Sequence, residues 1–379
     1  MQEGPQHQEE LKVFLVDIVT KDTKPEILAD RMRELENLVN TFGGVVILQT
    51  YQKKDQPDNK TYVGKGKLEE IIADMQRLGA NLLVVGNILK PRQVYEISEQ
   101  LRPFKMKIRD RVDLILKIFD KHAEGGESGL QIELAAIKHM GPRIFGMGIE
   151  LGRQGGGGSG AMRGLGETNT EIMNRHLKER QRKIAKKLED YEHMRKLHRD
   201  SRIRKGLPTV GIVGYTNAGK STLLNALTKK GVLAEDKLFA TLGTNVGKLY
   251  MITDPETGRG KEILINDTIG FIRDLPPTLI KAFKSTLEDS IESDLLLHVI
   301  DASDTFVQER IDVVHEILAH IGAKQSRILV FNKIDAISPE RLLQLQETYK
   351  DEITARISAK DQQGLEELKK LLIEKLNLI

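Results

Sequence analysis

The feature that most constrains this chain is an apolar run that ends in a glycine-rich turn. The run is Pro208-Thr-Val-Gly-Ile-Val213, the turn is Gly214-Tyr-Thr-Asn-Ala-Gly-Lys-Ser221, and a helix is predicted over residues 222–230. A strand, the pattern GxxxxGK[ST] and a helix in this order form a P-loop. Its glycines allow backbone N–H groups to converge on phosphate oxygens, and the start of the helix adds partial positive charge. The pattern therefore predicts a site for the phosphates of a nucleotide.

Four residues in and after this turn are candidates for binding phosphate and metal. Lys220 would reach the β and γ phosphates, and the Ser221 hydroxyl would ligate Mg²⁺. A strand is predicted over residues 263–267 and runs into Asp267-Thr-Ile-Gly270. Asp267 can hold magnesium through a water, and the Gly270 N–H can contact the γ phosphate. The pattern DxxG alone is more often an ordinary turn, but after a P-loop and at the end of an apolar strand it indicates a nucleoside triphosphatase.

The run Ile328-Leu-Val-Phe-Asn-Lys-Ile-Asp335 predicts which base is bound. Asp335 can accept hydrogen bonds from the N1–H and the exocyclic amine of guanine, a pair of donors that adenine does not present. A wrong base would leave the carboxylate without partners, which costs free energy. Ser358-Ala-Lys360 follows a strand predicted over residues 352–357 and resembles the last GTPase motif, whose backbone amides contact the guanine oxygen. GTP is therefore favoured over ATP.

The N-terminal third of the chain alternates between short apolar runs and helix-like stretches. Buried strands are predicted over residues 11–18, 44–50 and 81–85, and helices over residues 25–38, 67–78 and 91–101. Two of these helices begin with proline, which suits the first helical position. Strands that alternate with helices predict a small parallel α/β domain over residues 11–110, after a disordered N-terminus at residues 1–10.

Residues 111–205 are predicted to form a helical hairpin that carries a glycine-rich loop at residues 152–166. A G domain is predicted to follow over residues 206–379. One buried face is predicted on each helix of the hairpin, by Leu130, Leu134, Ile137 and Met140 on the first and by Leu177, Ile184, Leu188 and Tyr191 on the second.

Composition limits the kinds of site that the chain can form and indicates where in the cell the protein lies. The chain has no cysteine, which excludes disulfides, zinc–thiolate sites and a cysteine nucleophile. No apolar run reaches the roughly 20 residues that cross a bilayer. We expect a cytoplasmic protein, with peripheral contact with a membrane left open. The net charge of +3 excludes little, but residues 175–205 hold thirteen Lys and Arg against five Asp and Glu. From charge alone, this segment suits RNA and a solvated helix face equally well.

The motifs together resemble the HflX family of ribosome-associated translational GTPases over essentially the whole chain. The residues that carry the resemblance lie at 62–68 (YVGKGKL), 130–134 (LQIEL), 163–168 (RGLGET), 214–221, 238–242 (LFATL) and 267–272 (DTIGFI). The resemblance implies an N-terminal α/β HflX domain, a helical hairpin linker and a C-terminal Ras-like G domain. It also implies binding to the large ribosomal subunit and its rRNA, with the glycine-rich loop near the peptidyl transferase centre. Family members split stalled or idle ribosomes, which makes ribosome splitting the expected activity.

The motifs and the resemblance predict the site residues. Lys220, Thr241 and Gly270 are predicted to be catalytic, and Ser221, Thr241 and Asp267 to hold Mg²⁺, with Thr241 as the switch I threonine. The nucleotide contacts are predicted at Gly214, Tyr215, Thr216, Asn217, Ala218, Gly219, Lys220, Ser221, Thr222, Phe239, Ala240, Thr241, Asp267, Thr268, Ile269, Gly270, Asn332, Lys333, Asp335, Ser358, Ala359 and Lys360. The RNA contacts are predicted at Arg163, Arg180, Arg182, Lys183, Lys186 and Lys187. A monomer that binds GTP and GDP is expected.

Some positions depart from common patterns. Leu165 stands where many family members have proline. The run Gly243-Thr-Asn245 stands where Asp-Pro-Thr is usual. Many GTPases place a water-orienting glutamine after DxxG, whereas this chain has Phe271, so hydrolysis by the isolated protein is expected to be slow. Several GTPases that have a hydrophobic residue in place of this glutamine hold K⁺ near the phosphates with an asparagine, and Asn217 matches that asparagine. Alternatively, Asn217 is only a spacer in the turn.

Two other functions use parts of the same sequence. A GTP-regulated RNA-binding or ribosome-assembly protein without splitting activity would need the same nucleotide motifs. An ATP-dependent RNA remodeller would use the N-terminal domain, where Lys65 and Lys67 could meet phosphate, although this turn is not a P-loop.

Overall fold

The computed structural model describes residues 10–123, 126–154, 169–204, 206–228, 245–254, 256–268, 270–276, 279–280 and 292–378. The chain divides into two compact units. The first comprises Met1–Lys121 and Glu133–Ala185, and the second comprises His122–Ile132 and Lys186–Ile379. In the described residues, no helix is both long enough and apolar enough to cross a lipid bilayer.

The first unit contains a four-stranded parallel sheet with the strand order β2-β1-β3-β4. Its strands are β1 (Leu11–Val19), β2 (Gly44–Lys53), β3 (Leu82–Val85) and β4 (Lys107–Asp110), connected by α1 (Pro25–Phe42), α2 (Lys65–Leu78) and α3 (Pro91–Leu101). Proline starts α1 and α3, and left-handed glycines at Gly43 and Gly79 end α1 and α2. The predicted parallel α/β architecture is confirmed, and β4 adds a strand that was not predicted.

Strand β2 lies at an edge of this sheet, and the prediction that it is buried is wrong. Val45 and Tyr51 are each 47% exposed, and Leu48 is 37% exposed. An apolar run of this length does not by itself distinguish a central strand from an edge strand, because both carry β-branched residues. Strands β1 and β3 form the centre of the sheet and are almost fully buried.

The helical region consists of α4 (Arg111–His122), α5 (Gly126–Gln154) and α6 (Asn169–Arg204). Ion pairs join α5 to α6 in antiparallel order, Glu133 with Arg180 and Glu127 with Arg195. Of the residues predicted to form buried faces, Ile137 and Ile184 are buried, Leu130, Leu134, Leu177 and Leu188 are half-buried, and Met140 and Tyr191 are exposed. Ile132 and Ala135 complete the buried face of α5, which is rotated from the predicted one.

A buried charge cluster ties α4 and α5 to the end of β4. The Arg143 guanidinium donates to the carboxylates of Asp110 and Asp113, and His139 Nε2 lies 3.2 Å from Asp113 Oδ1. Although burial acts in the opposite direction, hydrogen bonding from His139 and the charge of Arg143 lower the pKa of Asp113 to about 2. Asp110, Asp113 and His139 are close enough to share a metal ion. Arg143 balances one of the two carboxylate charges, and although burial opposes the charged form of His139, the two carboxylates raise its pKa. The arrangement is therefore a buried ion-pair network.

The second unit contains a six-stranded sheet with the order β10-β9-β8-β5-β7-β6, in which β6 runs antiparallel to β7. Its strands are β5 (Thr209–Gly214), β6 (Asn245–Asp254), β7 (Arg259–Asp267), β8 (Leu295–Asp301), β9 (Arg327–Asn332) and β10 (Thr354–Arg356). Its described helices are α7 (Lys220–Thr228), α8 (Val307–Ile321), α9 (Pro339–Thr348) and α10 (Leu365–Lys375). Strand β5 is buried along its whole length between β7 and β8. The residues that follow it are therefore held at the centre of the sheet edge.

The buried histidine of β8 makes the stability of this unit depend on pH. Burial, with the nearby His315 and Arg327, lowers the pKa of His298 from 6.5 to about 3. Between these values the unfolded chain binds a proton that the folded chain excludes, so stability falls as the pH falls below 6.5. We expect His298→Leu to remove about 2 kcal/mol of the acid destabilisation at pH 5. Urea unfolding followed by circular dichroism at pH 7 and pH 5 measures it.

The control is His176→Leu, which removes an exposed histidine of α6. The control should keep the pH dependence of the parent protein. Equal pH dependence in the parent and in His298→Leu would contradict this account of His298.

Candidate nucleotide-binding site

The P-loop lies between the end of β5 and the start of α7. Gly214 and Gly219 have φ angles of 154° and 92°. A side chain at Gly214 would collide with the Val299 carbonyl of β8, and one at Gly219 would collide with the Asn332 amide of β9. Glycine is therefore required at both positions by the close approach of neighbouring strand ends.

Opposite charges are buried together beneath the turn. Lys220 is 6% exposed and Asp267, at the end of β7, is fully buried. Lys220 Nζ donates to the Tyr215 carbonyl oxygen at 2.8 Å. Burial lowers the pKa of Lys220 to about 8, against the opposing charge of Asp267, and burial raises the pKa of Asp267. The anionic phosphates of a nucleotide would add negative charge close to Lys220 and oppose the effect of burial on its pKa.

The donors around Asp267 fit a hard divalent cation. Ser221 Oγ donates to Asp267 Oδ2 at 2.7 Å, and Asp267 Oδ1 is buried with no hydrogen-bond partner among the described residues. A buried carboxylate oxygen without a partner is costly unless a ligand satisfies it. Hydroxyl and carboxylate oxygens are the ligands that Mg²⁺ prefers. Ser221 and Asp267 are therefore suited to hold magnesium.

The segment after β7 is paired to the P-loop through its backbone. Phe271 N–H donates to the Gly214 carbonyl at 3.1 Å, and Thr216 N–H donates to the Phe271 carbonyl at 2.7 Å. The Phe271 side chain is 1% exposed and belongs to the interior. Gly270 lies so close to Thr216 and Lys220 Nζ that a side chain there would overlap both. Gly270 is thereby placed beside the phosphate-binding turn.

The base-recognition motifs meet at Asn332. Its Nδ2 donates to the Ala218 carbonyl at 2.8 Å, and its Oδ1 accepts from Ala359 N–H at 3.0 Å. One side chain at the end of β9 thus joins the P-loop to the Ser358-Ala-Lys360 turn. Asp335 is exposed, and a hydrogen bond from Ser358 lowers its pKa. Its carboxylate is ionised at neutral pH and open to a ligand.

The structure brings most of the predicted nucleotide residues to one edge of the sheet. Those from the P-loop, from the end of β7 and from the turns after β9 and β10 lie there. Four predicted nucleotide contacts lie outside the described residues, namely Phe239, Ala240, Thr241 and Ile269. The predicted RNA contact Arg163 also lies outside them. Asp301, at the end of β8, was not predicted and pairs with Lys333 Nζ at 2.7 Å. The sequence feature that could have predicted Asp301 is its position directly after the apolar run Leu295-Leu-Leu-His-Val-Ile300.

Not all of the predicted RNA-binding cations point freely into solvent. Arg180 makes a bidentate ion pair with Glu133 at 2.6 and 2.7 Å, and Lys183 pairs with Glu179 at 2.7 Å. Arg182, Lys186 and Lys187 are exposed on α6. In the N-terminal domain, Lys65 and Lys67 lie 4.0 and 2.7 Å from Glu69 and Glu70 within α2, and Lys67 is half-buried.

Three family models match successive parts of the chain. Residues 29–120 match the N-terminal region of GTP-binding GTPases, and residues 122–202 match their middle region. Residues 209–333 match a family described as 50S ribosome-binding GTPase.

Curated proteins and a solved structure are similar over most of the chain. GTPase HflX of Caldanaerobacter subterraneus subsp. tengcongensis is 42% identical over 94% of this chain and 78% of its own length. GTPase HflX of Escherichia coli K12 is 39% identical over 81% of this chain and 70% of its own length. The crystal structure of SsGBP in complex with GDP is 26% identical, covers 97% of this chain and 98% of its own, and has a TM-score of 0.54.

The exposed Asp335 carboxylate generates a prediction about base choice. Asp335→Asn replaces an acceptor by a side chain that also donates, which suits the altered base edge of xanthine. We expect the affinity for GTP to fall roughly 10- to 100-fold, since the guanine donors no longer meet a carboxylate, and the affinity for xanthosine triphosphate to rise. Titration with fluorescent nucleotide analogues measures both affinities. Asp351→Asn, a change at an exposed carboxylate of the same unit, should alter neither. Unchanged GTP affinity in Asp335→Asn would refute the assignment.

Proposed function

The chain belongs to the HflX family of GTPases, and from that premise we propose that it uses GTP hydrolysis to bind and split ribosomes through the large subunit. The observation that carries the proposal is the match of residues 209–333 to the family described as 50S ribosome-binding GTPase. The proposal includes the domain boundaries predicted from the sequence, at residues 11–110, 111–205 and 206–379, and the predicted nucleotide contacts.

The surface of α6 supports an RNA partner. This helix has 36 residues, which corresponds to about 54 Å. Among the α6 side chains that the structure describes, only Ile184 is buried. A long helix that buries so little apolar surface gains little stability from packing. Its exposed Lys and Arg side chains are suited to neutralise the phosphates of folded RNA.

The proposed nucleotide site has several of the groups that phosphoryl transfer uses. Lys220 would contact the β and γ phosphates, Ser221 and Asp267 would hold Mg²⁺, and Gly270 N–H would contact the γ phosphate. A bound Mg²⁺ would neutralise part of the phosphate charge. Phe271 is buried and has no polar group to orient the attacking water. We therefore infer that docking on the large subunit completes the site by ordering the switch I segment that contains Thr241.

Ribosome profiles test the proposed splitting activity. Intact ribosomes are incubated with the protein and GTP, or with a non-hydrolysable GTP analogue, and are separated on sucrose gradients. A fall in intact ribosomes, with the protein on the large subunit, is the expected result. Binding to the large subunit with no loss of intact ribosomes would instead indicate an RNA-binding or assembly role.

The cationic face of α6 generates a prediction about ribosome binding. Replacing Arg182, Lys186 and Lys187 together by glutamine should weaken binding to large subunits. The logarithmic salt dependence of that binding should decrease by up to about three units, one for each phosphate that is no longer neutralised. Co-sedimentation with large subunits across a salt series measures both effects.

The matched control replaces three exposed lysines of the G domain by glutamine, namely Lys324, Lys350 and Lys370. It should bind as the parent protein does. Nucleotide affinity should be unchanged in both triple variants. Equal binding of the α6 variant and the parent at every salt concentration would contradict RNA contact at this face.

The absence of a polar group at Phe271 generates a prediction about catalysis. GTP hydrolysis by the isolated protein should be slow and should be accelerated by large subunits. If Asn217 holds K⁺ near the phosphates, hydrolysis should also be faster in potassium than in sodium buffer, and Asn217→Ala should abolish that difference. Steady-state phosphate release is measured in potassium and in sodium buffer, each with and without large subunits. Fast turnover that neither addition changes would show that the isolated site is complete.

A further inference from the structure

The P-loop contains a buried hydroxyl that takes no part in the interactions above. Thr216 is 8% exposed, and its Oγ1 is buried without a hydrogen-bond partner among the described residues. Its backbone N–H is satisfied by the Phe271 carbonyl at 2.7 Å. A buried hydroxyl without a partner is unfavourable, so such groups in folded proteins usually have a ligand or a functional role.

The hydroxyls of two neighbouring residues have partners. Thr268 Oγ1 donates to the Ile212 carbonyl at 2.7 Å, and Ser221 Oγ donates to Asp267 at 2.7 Å. A bound magnesium ion would satisfy the unpartnered Asp267 oxygen. Of the buried threonine side chains that the structure describes at the P-loop and the end of β7, Thr268 has a partner for its hydroxyl and Thr216 has none. The Thr216 hydroxyl is therefore left for the nucleotide or for water.

Thr216 also lies where the γ phosphate is expected. A Cβ added to Gly270 would stand 2.7 Å from Thr216 Cγ2 and 2.9 Å from Lys220 Nζ. Thr216, Gly270 and Lys220 therefore converge on one small region. The Gly270 N–H and the Lys220 ammonium are the two groups assigned to the γ phosphate. The Thr216 methyl lies beside them, and the Thr216 hydroxyl is bonded to the same Cβ as that methyl.

The reaction lacks a water-orienting side chain at the expected position. Phe271 is apolar, is 1% exposed, and is fixed by backbone hydrogen bonds to Gly214 and Thr216. Its side chain has no polar atom with which to orient a water in any rotamer. The orienting group must therefore come from elsewhere.

We propose that the Thr216 hydroxyl is a catalytic group that orients the attacking water against the γ phosphate of GTP. The water oxygen forms a bond to the γ phosphorus, and the bond from that phosphorus to the β–γ bridging oxygen breaks, with its electron pair leaving on GDP. One water proton passes to a γ-phosphate oxygen, and inorganic phosphate is released. The Thr216 hydroxyl accepts a hydrogen bond from the water and donates its own to a γ-phosphate oxygen, so it holds the water without exchanging a proton.

The test compares two substitutions at one position. Thr216→Val keeps the shape of the side chain and removes the hydroxyl, whereas Thr216→Ser keeps the hydroxyl and removes the methyl. Single-turnover GTP hydrolysis is measured for the full chain, with and without large subunits. The affinities for GDP and for a non-hydrolysable GTP analogue are measured in parallel. Thr228→Val is the matched control, because the Thr228 hydroxyl donates to the Leu224 carbonyl within α7.

We expect Thr216→Val to lower the hydrolysis rate roughly 10- to 100-fold, with GDP affinity within about twofold of the parent. Thr216→Ser and Thr228→Val should retain rates within about threefold. Thr216→Ala removes the same hydroxyl and is interpreted in the same way if Thr216→Val does not fold.

Three results would overturn the proposal. They are a parental rate in Thr216→Val, equal losses of rate in the valine and serine variants, and a loss of GDP affinity without a loss of rate. The inference rests on the GTPase site and not on the ribosomal partner. If large subunits have no effect on any variant, the ribosomal proposal fails, while the comparison of variants in the isolated protein still decides the role of Thr216.

Discussion

The burial of Lys220 beside Asp267 is the interaction on which the nucleotide site depends. Removing two charges from water is costly, and their mutual attraction recovers only part of that cost. Lys220 lies at the start of α7 and Asp267 at the end of β7. The desolvation of these two charges therefore destabilises the region around β5 and the P-loop. A phosphate beside Lys220 and a cation beside Asp267 would complete both pairings. The fold thus holds a charged site that is satisfied fully only with its ligand.

The strand order explains how distant motifs reach that site. Strands β7, β5, β8 and β9 are adjacent and parallel, so their carboxyl ends share one edge, where α/β proteins bind ligands. Asn332 then fixes the spacing between the phosphate-binding and base-binding turns, because it bonds to both. The Lys333–Asp301 pair adds a contact between the ends of β9 and β8. The predicted phosphate-binding and base-binding turns are therefore linked along one edge of the sheet.

Local chemistry made the nucleotide motifs and the alternating α/β pattern predictable, because short stretches of sequence determine turns, strand ends and helix starts. What depended on packing between distant segments was not predictable. The exposure of β2, the rotated buried face of α5 and the pairing of Arg180 with Glu133 depend on which elements are neighbours. The burial of Phe271 and the unpartnered hydroxyl of Thr216 are of the same kind. Both residues take part in the backbone pairing between the P-loop and the segment after β7, which no local pattern indicates.

Thermal unfolding with matched nucleotides tests most directly that these strand ends form a guanine nucleotide site. The full chain is heated with magnesium and either GDP or ADP at equal concentrations. At about 100 times its Kd, GDP should add about 2.7 kcal/mol to the stability of the G domain and raise its unfolding temperature by roughly 5 °C or more, whereas ADP should have little effect. Equal shifts with the two nucleotides, or no shift with GDP, would contradict the account.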